Sequence, residues 1–428
     1  MVREMKHTEI GEIPAEWELQ TFEETFRMLS NNTLPRADLN NQGGTVRNVH
    51  YGDILTRFGE VLDCEKDEVP YLNDGALLTA SAQVLQDGDV ILADTAEDDT
   101  VGKATEVYGL GKGRMVAGLH TIPCRVKKGD FVPKWLGYYM NSLIYHNQVL
   151  PYVTGIKVSS ISKTAISETL IAVPPLEEQK AIVSALSDVD QLLVELKEVV
   201  SKLRDFKRGC LYLMFPQDGS DLPQMMEPGY AEPWEQRKLG ELAEIGDIDH
   251  RMPVSVEDGI PYLMTGDFIG ENELNFHDVK KVSMEDYNQL SRKIKPEKGD
   301  ILFARYASVG MVRYVDFIKK FLISYSCAII KESDKINSSY LYHYLTSEGA
   351  QNQIKIETKT GSQANIGIDS MKKYIVVPVP SKFEQEKISA YFTYLDTLIT
   401  LHQQKFDKYA QIKKAMISEL ITGKIKLV

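Results

Sequence analysis

The chain has 428 residues, of which 43% are hydrophobic and 26% are charged, and its formal net charge is −12. This length is too great for one ordinary core and predicts two or three domains, and the negative charge excludes a protein coated in positive charge. No run of eighteen apolar residues and no N-terminal signal pattern occurs, so we expect a cytoplasmic protein without a membrane span. The four cysteines are widely separated and lack metal-ligand spacing, which predicts neither a zinc site nor a disulfide framework.

The first part of the chain mixes short β-rich runs with helices. A proline and Trp17 precede a short helical stretch, and Gly88–Ala93 predicts a turn followed by an apolar strand. Further along, the pattern predicts a strand, a helix and a strand that ends in proline, at 121–126, 132–150 and 170–174. This alternation predicts a globular domain of mixed α/β type.

A long helix is predicted from Glu177 to about Met214, because an apolar residue recurs every three or four positions and no glycine or proline occurs before Gly209. The steps of four and three define a heptad seam, and a helix with such a seam requires a partner helix. Lys207 is the one polar residue on this seam. Its apolar members are Ile182, Leu186, Val189, Leu193, Leu196, Val200, Leu203, Cys210 and Met214.

After a linker rich in proline at 215–233, the second half of the chain repeats the first. Trp234 follows a proline as Trp17 does, and Gly299–Ala304 matches Gly88–Ala93. Two strands and a helix are predicted at equivalent places, at 321–331, 374–378 and 338–353. The offset between matching residues decreases from 217 to 211 to 206 along the repeat, as small loop insertions would produce.

The second long helix, from Glu384 to Leu420, repeats the seam of the first with every position shifted by 206. The polar exception recurs as well, because Lys413 matches Lys207. This agreement favours an internal duplication over the alternative of two unrelated amphipathic surface helices. The ten seam positions are Ile388, Phe392, Leu395, Ile399, His402, Phe406, Tyr409, Lys413, Met416 and Leu420.

The two seam lysines predict the direction of helix pairing. In a parallel pair in register, Lys207 would face Lys413, and two like charges would meet across the seam. In an antiparallel pair with the two seams centred on each other, Lys207 lies beside Asp396 and Lys413 beside Asp190. The antiparallel arrangement replaces repulsion by two ion pairs, so we predict an antiparallel coiled coil.

The predicted fold class is α+β, with two tandem α/β globules, two long helices in an antiparallel coiled coil and a pseudo-two-fold internal repeat. The expected boundaries are 1–175 for the first globule, 176–215 for the central helix, 216–380 for the linker and second globule, and 381–428 for the C-terminal helix. A helix of about 33 residues is about 50 Å long. Two similar globules at that separation would suit duplex DNA with two similar sites roughly one and a half turns apart.

Several motifs resemble those of the specificity subunit of type I restriction-modification systems. They are the tandem arrangement, the tryptophans that begin each half, the GDVILA and GDILFAR strands, and the helix openings PPLEEQKAI and PSKFEQEKI. The resemblance covers essentially the whole chain. It implies that each globule is a target recognition domain, similar to the DNA-reading domain of adenine methyltransferases, and that each reads one half of a split DNA sequence.

The resemblance also implies the partners of the chain. The paired helices would set the length of the unread spacer and dock two modification (methyltransferase) subunits, and restriction (translocase and nuclease) subunits would join the complex. S-adenosylmethionine would bind to the modification subunits, and ATP and magnesium to the restriction subunits. The chain itself is therefore expected to hold no cofactor and to be non-catalytic.

The sequence lacks the motifs of the corresponding enzymes. It contains no NPPY-type tetrapeptide of amino-methyltransferases and no GxxxxGK[ST] phosphate loop. Gly109–Gly113 is rich in glycine but lacks the spacing of a nucleotide loop. Two alternatives to the specificity subunit are a stand-alone methyltransferase or nuclease with degenerate motifs, and a coiled-coil scaffold that does not bind DNA.

A local excess of positive charge marks the second globule, because 280–373 contains 16 Lys and Arg against 10 Asp and Glu. Lys and Arg contact phosphates, whereas Arg, Asn, Gln, Ser and Thr can also reach base edges. Polar loops with such groups and with glycines precede the last strand of each globule, at 154–160 and 359–365. An ordinary solvated loop is the alternative interpretation of both segments.

These considerations give sixteen candidate DNA-binding residues. In the first globule they are Arg47, Tyr51, Arg57, Lys112, Arg114, Lys157, Ser159 and Ser160, and in the second Arg305, Tyr306, Arg313, Lys359, Thr360, Ser362, Gln363 and Asn365. Arg305 and Arg313 lie around the second GD strand, and an ion pair is the alternative role for them. Asp94 occupies the place of Arg305 in the first globule, so the two globules are expected to read different sequences.

Overall fold

The computed structural model describes residues 3–74, 78, 80–155, 157–217, 220–225, 232–359 and 364–427. The chain divides into two compact units. Unit 1 consists of residues 1–194 and 408–428, and unit 2 of residues 195–407. Each unit therefore contains one part of each long helix.

The first half of the chain ends in the central long helix. Its strands are β1 (Met5–Thr8), β2 (Gly11–Pro14), β3 (Glu18–Thr21), β4 (Phe26–Met28), β5 (Leu39–Asn40), β6 (Arg47–Val49), β7 (Val61–Asp63), β8 (Tyr71–Leu72), β9 (Val90–Ala93), β10 (Thr95–Ala96), β11 (Ala104–Tyr108), β12 (Met115–Ala117), β13 (Thr121–Val126), β14 (Ser159–Ser160) and β15 (Leu170–Val173). Its helices are α1 (Phe22–Thr25), α2 (Tyr51–Thr56), α3 (Trp135–Met140), α4 (Leu143–Val149), α5 (Lys163–Ser167) and the long α6 (Leu176–Met214).

The second half has a similar but shorter series of elements and ends in the second long helix. Its strands are β16 (Glu235–Lys238), β17 (Ile245–Gly246), β18 (Ile260–Leu263), β19 (Phe268–Ile269), β20 (Glu273–Leu274), β21 (Lys281–Val282), β22 (Ile301–Ala304), β23 (Val312–Tyr314), β24 (Leu322–Ile323), β25 (Cys327–Ile330) and β26 (Val376–Val379). Its helices are α7 (Leu239–Leu242), α8 (Met284–Leu290), α9 (Ser338–Thr346), α10 (Glu348–Glu357), α11 (Ile368–Tyr374) and the long α12 (Lys382–Leu420).

The two units share a similar arrangement of a central and an outer sheet, and each sheet of unit 1 has one strand more than its counterpart in the described part of unit 2. Unit 1 has a central sheet in the order β4-β13-β9-β11-β7 and an outer sheet in the order β12-β6-β8-β5. Unit 2 has a central sheet in the order β17-β25-β22-β23 and an outer sheet in the order β21-β18-β24. The parallel pair β12/β6 of unit 1 corresponds to the parallel pair β24/β18 of unit 2. The duplication inferred from the sequence therefore extends to the strand pairing.

The GD strands, β9 and β22, are buried on both faces. In β9, Val90 and Leu92 belong to the core that includes the long helices, whereas Ile91 and Ala93 belong to a core shared with the outer sheet. The alternating residues of β22 divide between two cores in the same way. Successive side chains of a strand point to opposite faces, so a continuous apolar run is required for a strand between two layers.

Two predicted helices and one predicted strand are interrupted in the structure. The helix expected at 132–150 is divided into α3 and α4, and the helix expected at 338–353 into α9 and α10. Asn141 ends α3 because its side chain hydrogen-bonds to the backbone of Ala104, and Ser347 caps α10 by accepting a hydrogen bond from the Ala350 backbone. The strand expected at 321–331 forms as β24 and β25, with a turn between them.

The long helices pack against each other within each unit. In unit 1, Ile182 and Leu186 near the start of α6 share a core with Ile417 and Leu420 near the end of α12. In unit 2, residues near the end of α6 share a core with residues near the start of α12, namely Cys210, Leu211, Ile388, Phe392 and Leu395. All twenty predicted seam positions are buried or half-buried. The start of each helix lies beside the end of the other, so the predicted antiparallel direction is confirmed.

A buried glutamine attaches the first turns of each long helix to its unit. Gln179 donates a hydrogen bond of 2.9 Å to the Pro174 carbonyl and accepts one of 3.0 Å from the Val132 backbone amide. Gln385 repeats both contacts at matching distances, with Pro380 and Asn337. These contacts explain why both helix openings contain an EQ pair, because the glutamine satisfies backbone groups that would otherwise be buried without partners.

A second repeated set of contacts holds the last strand of each half. Tyr139 donates a hydrogen bond to the Leu170 carbonyl of β15, and the Gln148 amide bonds to both backbone groups of Leu170. In unit 2 the equivalent residues are Tyr344, Gln353 and Val376. The duplication is thus preserved in individual hydrogen bonds.

The seam lysine of α12 forms an ion-pair cluster in unit 1. The Lys413 ammonium lies 2.6 Å from the Asp190 carboxylate of α6 and also pairs with Glu60. Tyr138 donates a hydrogen bond of 2.6 Å to the same aspartate. Burial acts to lower the pKa of Lys413, but Glu60 and Asp190 outweigh it and raise that pKa above its ordinary value. The cluster therefore joins both long helices to the mixed α/β part of unit 1.

The seam lysine of α6 forms the equivalent cluster in unit 2. Lys207 pairs with Asp396 of α12 and lies 3.5 Å from Glu271, which also pairs with Arg204. His343 occupies the place of Tyr138, 3.8 Å from Asp396. Burial, assisted by the nearby Lys207, lowers the pKa of His343 to about 3, so this imidazole is neutral at physiological pH. Both ion pairs predicted from the sequence are present.

Removal of Lys207 is expected to destabilise unit 2. In Lys207→Gln, Asp396 loses its counter-charge in a buried site, and the expected loss in unfolding free energy is about 2–4 kcal/mol. The control is Lys202→Gln, because Lys202 and Glu198 form an ion pair in which both side chains are largely exposed, and its removal should cost less than about 1 kcal/mol. Urea unfolding measures both changes, and equal losses would contradict the assigned role of Lys207.

Candidate nucleic-acid interface

The two polar loops predicted to contact DNA are closed by equivalent backbone hydrogen bonds. In unit 1, the Thr154 and Ser160 backbones exchange hydrogen bonds of 3.0 and 2.8 Å. In unit 2, Lys359 and Asn365 do the same at 2.9 and 3.3 Å. Both loops therefore span the same number of residues between their closing pairs.

Each loop pairs with the segment that follows the GD strand. β14, at the end of the first loop, is antiparallel to β10, with Thr95 opposite Ser160. In unit 2 the corresponding bridge joins Tyr306 to Asn365. The topology thus brings residues about 60 positions apart in the sequence to one place in each unit. We call these places edge 1 (Asp94, Thr95, His120, Ser159 and Ser160) and edge 2 (Arg305, Tyr306, Ser326, Ala364 and Asn365).

The two edges have the same backbone but different side chains. The Asp94 amide donates to the His120 carbonyl, and its own carbonyl accepts from Ile161. The equivalent hydrogen bonds in unit 2 join Arg305 to Ser326 and Ile366. Equivalent positions nevertheless hold unlike side chains, which are Asp94 and Arg305, Thr95 and Tyr306, His120 and Ser326, and Ser160 and Asn365. A shared frame with different polar groups is the arrangement expected for two readers of different sequences.

Edge 1 contains a small polar cluster around His120. Its Nδ1 lies 3.3 Å from Asp94 Oδ1 and 3.3 Å from Thr95 Oγ1, and its ring meets Tyr51 edge-on at 5.2 Å between centroids. The His120 backbone has φ +54°, a left-handed conformation that places the ring at the turn between β12 and β13. About half of the side chain is exposed, so its other ring nitrogen can meet a ligand.

A charged network around Asp247 adjoins edge 2 at Arg305. Its carboxylate pairs with Arg305 and lies 2.8 Å from His250 and 3.5 Å from Lys293. Burial acts to raise the pKa of Asp247, but the hydrogen bond from His250 and the charge of Arg305 outweigh it and lower that pKa. The His250 ring is stacked on Tyr325 at 5.0 Å and is largely exposed. A cleft of about 540 Å³ adjoins this network, and its lining includes Lys293, Lys359 and Lys372 as well as Glu244 and Asp369.

Two of the predicted arginines make structural contacts. Arg305 is only 6% exposed and binds Asp247 and the Ile366 carbonyl. Arg313 is 7% exposed and donates to three carbonyls of the segment that contains β19 and β20, those of Ile269, Gly270 and Glu273. Burial lowers the pKa of Arg313 below its ordinary value. Arg305 thus forms the ion pair given as its alternative role, whereas Arg313 binds backbone carbonyls, which is neither predicted role. The burial of both disfavours base contact, because a base contact requires donors that can reach solvent.

The remaining candidates of unit 1 differ in exposure. Arg47 donates to the Cys64 carbonyl, and Arg57 binds Asp53 and the Glu68 carbonyl. Lys112, Arg114 and Lys157 are exposed. Tyr51, Ser159 and Ser160 are half-buried at edge 1 or beside it.

The candidates of unit 2 at edge 2 are only partly described. Lys359 is exposed, and Tyr306 and Asn365 are half-buried. Thr360, Ser362 and Gln363 lie outside the described residues. His120, Asp247 and His250 were not among the predicted residues. His120 stands alone in the sequence, and Asp247 and His250, although three residues apart, are brought to Arg305 only by the fold. The difference between Asp94 and Arg305 in an otherwise repeated motif was the one available signal.

Within the described part of the chain, no group of three or more His, Cys, Asp or Glu side chains is arranged to hold a metal ion. All four cysteines are buried and unbonded. None of the described helices is long and apolar enough to cross a membrane.

The structural role of Arg305 leads to a test. Arg305→Met leaves the Asp247 carboxylate buried with only exposed partners, and we expect unit 2 to lose about 2–3 kcal/mol of unfolding free energy. Arg305→Met combined with Asp247→Asn should recover more than half of the loss, because no buried charge remains. Urea unfolding of both variants gives the comparison, and unchanged stability of Arg305→Met would instead indicate a free arginine available to DNA.

Comparison with known proteins agrees with this architecture. The family model described as type I restriction modification DNA specificity domain matches the chain twice, at residues 14–202 and 231–411. A protein of Methanocaldococcus jannaschii assigned as the MjaX specificity subunit of a type I restriction enzyme is 24% identical, over 99% of this chain and 96% of that protein.

Two solved structures share the fold. One is a chain from a study of complex assembly and conformational transition in a type I restriction-modification system, with TM-score 0.57, 20% identity and coverage of 96% of this chain and 99% of that chain. The other is the specificity subunit of a type I restriction-modification system from M. genitalium, with TM-score 0.53, 16% identity and coverage of 98% and 99%. Because the two matches of the family model together span most of the chain, the chain belongs to the type I restriction-modification DNA specificity family.

Proposed function

We propose that this chain reads a bipartite DNA target, with unit 1 recognising one half and unit 2 the other. The observation that carries this proposal is the contrast between repeated and unlike residues. Contacts that hold the fold recur in both units, as Gln179 and Gln385 or Lys413 and Lys207 do. Side chains at edges 1 and 2 differ although their backbones correspond. Selection for two different half-sites on one scaffold accounts for that contrast.

The DNA would meet each unit at its edge. Hydroxyl and imidazole groups at edge 1, and the Asn365 amide at edge 2, can exchange hydrogen bonds with base edges. The exposed Lys157 of the first loop and Lys293 and Lys359 at edge 2 supply positive charge for phosphates. The acidic overall charge of the chain is compatible with this, because phosphate contact depends on local charge.

The long helices would serve as spacer and dock. Each contains 39 residues and is therefore about 58 Å long. In this proposal they form an antiparallel coiled coil whose outer faces bind two modification subunits, while restriction subunits complete the complex. Methyl transfer and DNA cleavage then occur on the partners, which bind S-adenosylmethionine, ATP and magnesium, and this chain is non-catalytic.

Methylation mapping tests the proposed function. DNA from cells that carry the whole system, and from cells that lack only this chain, is sequenced with detection of methylated adenine. A split motif that disappears with the chain supports the proposal and also defines the two half-sites. Methylation that persists unchanged without the chain would contradict it, and methyl transfer by the purified chain alone would favour the stand-alone enzyme.

Matched variants then assign each half-site to a unit. His120→Ala should lower affinity for the half-site read by unit 1 about tenfold or more, the loss typical of one base contact, and His250→Ala should do the same for the other half-site. Each variant serves as the control for the other in binding assays on duplexes with one half scrambled. Equal losses on both scrambled duplexes would make these residues phosphate contacts or structural residues.

A length change tests the spacer role. Deleting one heptad from both α6 and α12 removes about 10.5 Å of helix and should shorten the preferred spacer by about three base pairs. The deletion must keep both seam lysines beside their aspartates so that the helix register is retained. Binding to a series of duplexes with different spacers measures the shift, and an unchanged optimum would limit the helices to docking.

A further inference from the structure

The loop that joins β23 to β24 carries an exposed isoleucine between charged residues. Ile318 is 89% exposed, a high value for a large apolar side chain. It is followed by the exposed Lys319 and Lys320, and Asp316 is the one carboxylate of the segment. We call residues 316–320 the tip loop. Single exposed apolar side chains are common on protein surfaces, so the case for a ligand rests on the residues that surround Ile318.

Aromatic residues fix the base of the tip loop. Phe317 and Phe321 flank its tip, with ring centroids 6.0 Å apart, and both pack edge-on against Phe276 at 5.8 and 5.6 Å. Phe321 is buried. The exposed tip is therefore supported by a packed aromatic cluster, which reduces the conformational entropy that binding would cost.

The same cluster holds the two lysines. The Lys319 ammonium lies 3.6 Å from the centre of the Phe276 ring, and the Lys320 ammonium lies 5.3 Å from that of Tyr287. Cation–π contacts of this kind orient an ammonium without neutralising its charge. The tip loop thus presents one apolar side chain beside two fixed positive charges.

Unit 1 has a loop at the equivalent place. Residues 109–114 join β11 to β12 as 315–321 join β23 to β24. This loop also exposes two cations, Lys112 and Arg114, whereas its one large apolar residue, Leu110, is buried. The pair of cations is therefore common to both units, and the exposed apolar tip belongs to unit 2 alone.

We propose that the tip loop enters a groove of duplex DNA, with Lys319 and Lys320 on phosphates and Ile318 inserted against the base stack. This inference rests on the proposed function. Apolar side chains that insert between base steps are used by proteins that bend DNA, and flanking cations hold the backbone on either side. β24 connects the loop to Ser326 of edge 2, and the six residue steps from Lys320 to Ser326 span at most about 21 Å, the length of about six base pairs. Both elements can therefore engage one half-site.

A protein partner is the competing occupant of the tip. The tip loop contains two lysines and one carboxylate, Asp316, so its net charge is positive, which favours a polyanion over an apolar protein surface. The equivalent loop of unit 1 also exposes two cations but no large apolar residue, which likewise favours a polyanion as the ligand.

The test uses the full-length chain, alone or purified with its co-expressed partner subunits, and a duplex that carries the mapped target. Ile318→Ser should lower affinity about tenfold, the loss expected when burial of one isoleucine side chain is removed. The matched control is Ile356→Ser, since Ile356 of α10 is 80% exposed in the same unit. A second readout uses 2-aminopurine, a base analogue whose fluorescence rises when it is unstacked, placed at successive positions of the unit 2 half-site. Binding of the unaltered chain should increase this fluorescence, and Ile318→Ser should abolish the increase.

The lysines have a separate readout. Lys319→Gln with Lys320→Gln should reduce the slope of log affinity against log salt by about two, whereas the exposed pair Lys197→Gln with Lys202→Gln on α6 should leave it unchanged. This inference is overturned if the unaltered chain binds the duplex and the tip-loop variants match it in affinity, 2-aminopurine fluorescence and salt slope. The proposed function is unaffected by that result. Weakened subunit assembly with unchanged DNA affinity would assign the tip to a protein partner, and failure of the unaltered chain to bind the duplex would instead overturn the proposed function.

Discussion

The structure depends on two lysines, the buried Lys207 and the half-buried Lys413, placed in helix seams that are otherwise mostly apolar. A lysine in a seam is costly unless its ammonium finds a carboxylate, and Lys413 and Lys207 each find one on the opposite long helix and one on the mixed α/β part of their unit. A parallel pairing would have placed the two charges together. These ion pairs therefore specify direction and register more than they add stability, and they fix each α/β unit to the helices at the same point.

Comparison of the two halves distinguishes residues that the fold requires from residues that are proposed to read DNA. Residues that satisfy buried backbone groups or charges occur in both units, because the same frame imposes the same requirement twice. The positions at edges 1 and 2 are under no such requirement, and there the side chains differ. Arg305 is an exception, because it lies at edge 2 but is buried and paired with Asp247. Some residues that differ between the halves therefore pair with each other inside one unit and do not face solvent.

Much of the architecture could be predicted from the sequence because it depends on short-range periodicity. The bounds of α6 and α12, the seam, the repeat and the position of the GD strands all follow from spacing along the chain. The breaks at Asn141 and Ser347 were missed, because each depends on a side chain that hydrogen-bonds to backbone within the folded unit. His120 and His250 were missed for a related reason, since their ring partners Tyr51 and Tyr325 are brought to them by the fold.

The sequence by itself determined the duplication, the two long helices and their antiparallel direction, since periodic apolar residues and two repeated lysines leave one favourable pairing. Only the tertiary structure decided which polar residues face solvent. Arg305 and Arg313 are of a residue type that commonly contacts DNA, but strands and loops distant in sequence enclose them. Ile318 is apolar but exposed. Burial is a property of long-range packing, and the order of residues along a strand or loop does not specify it.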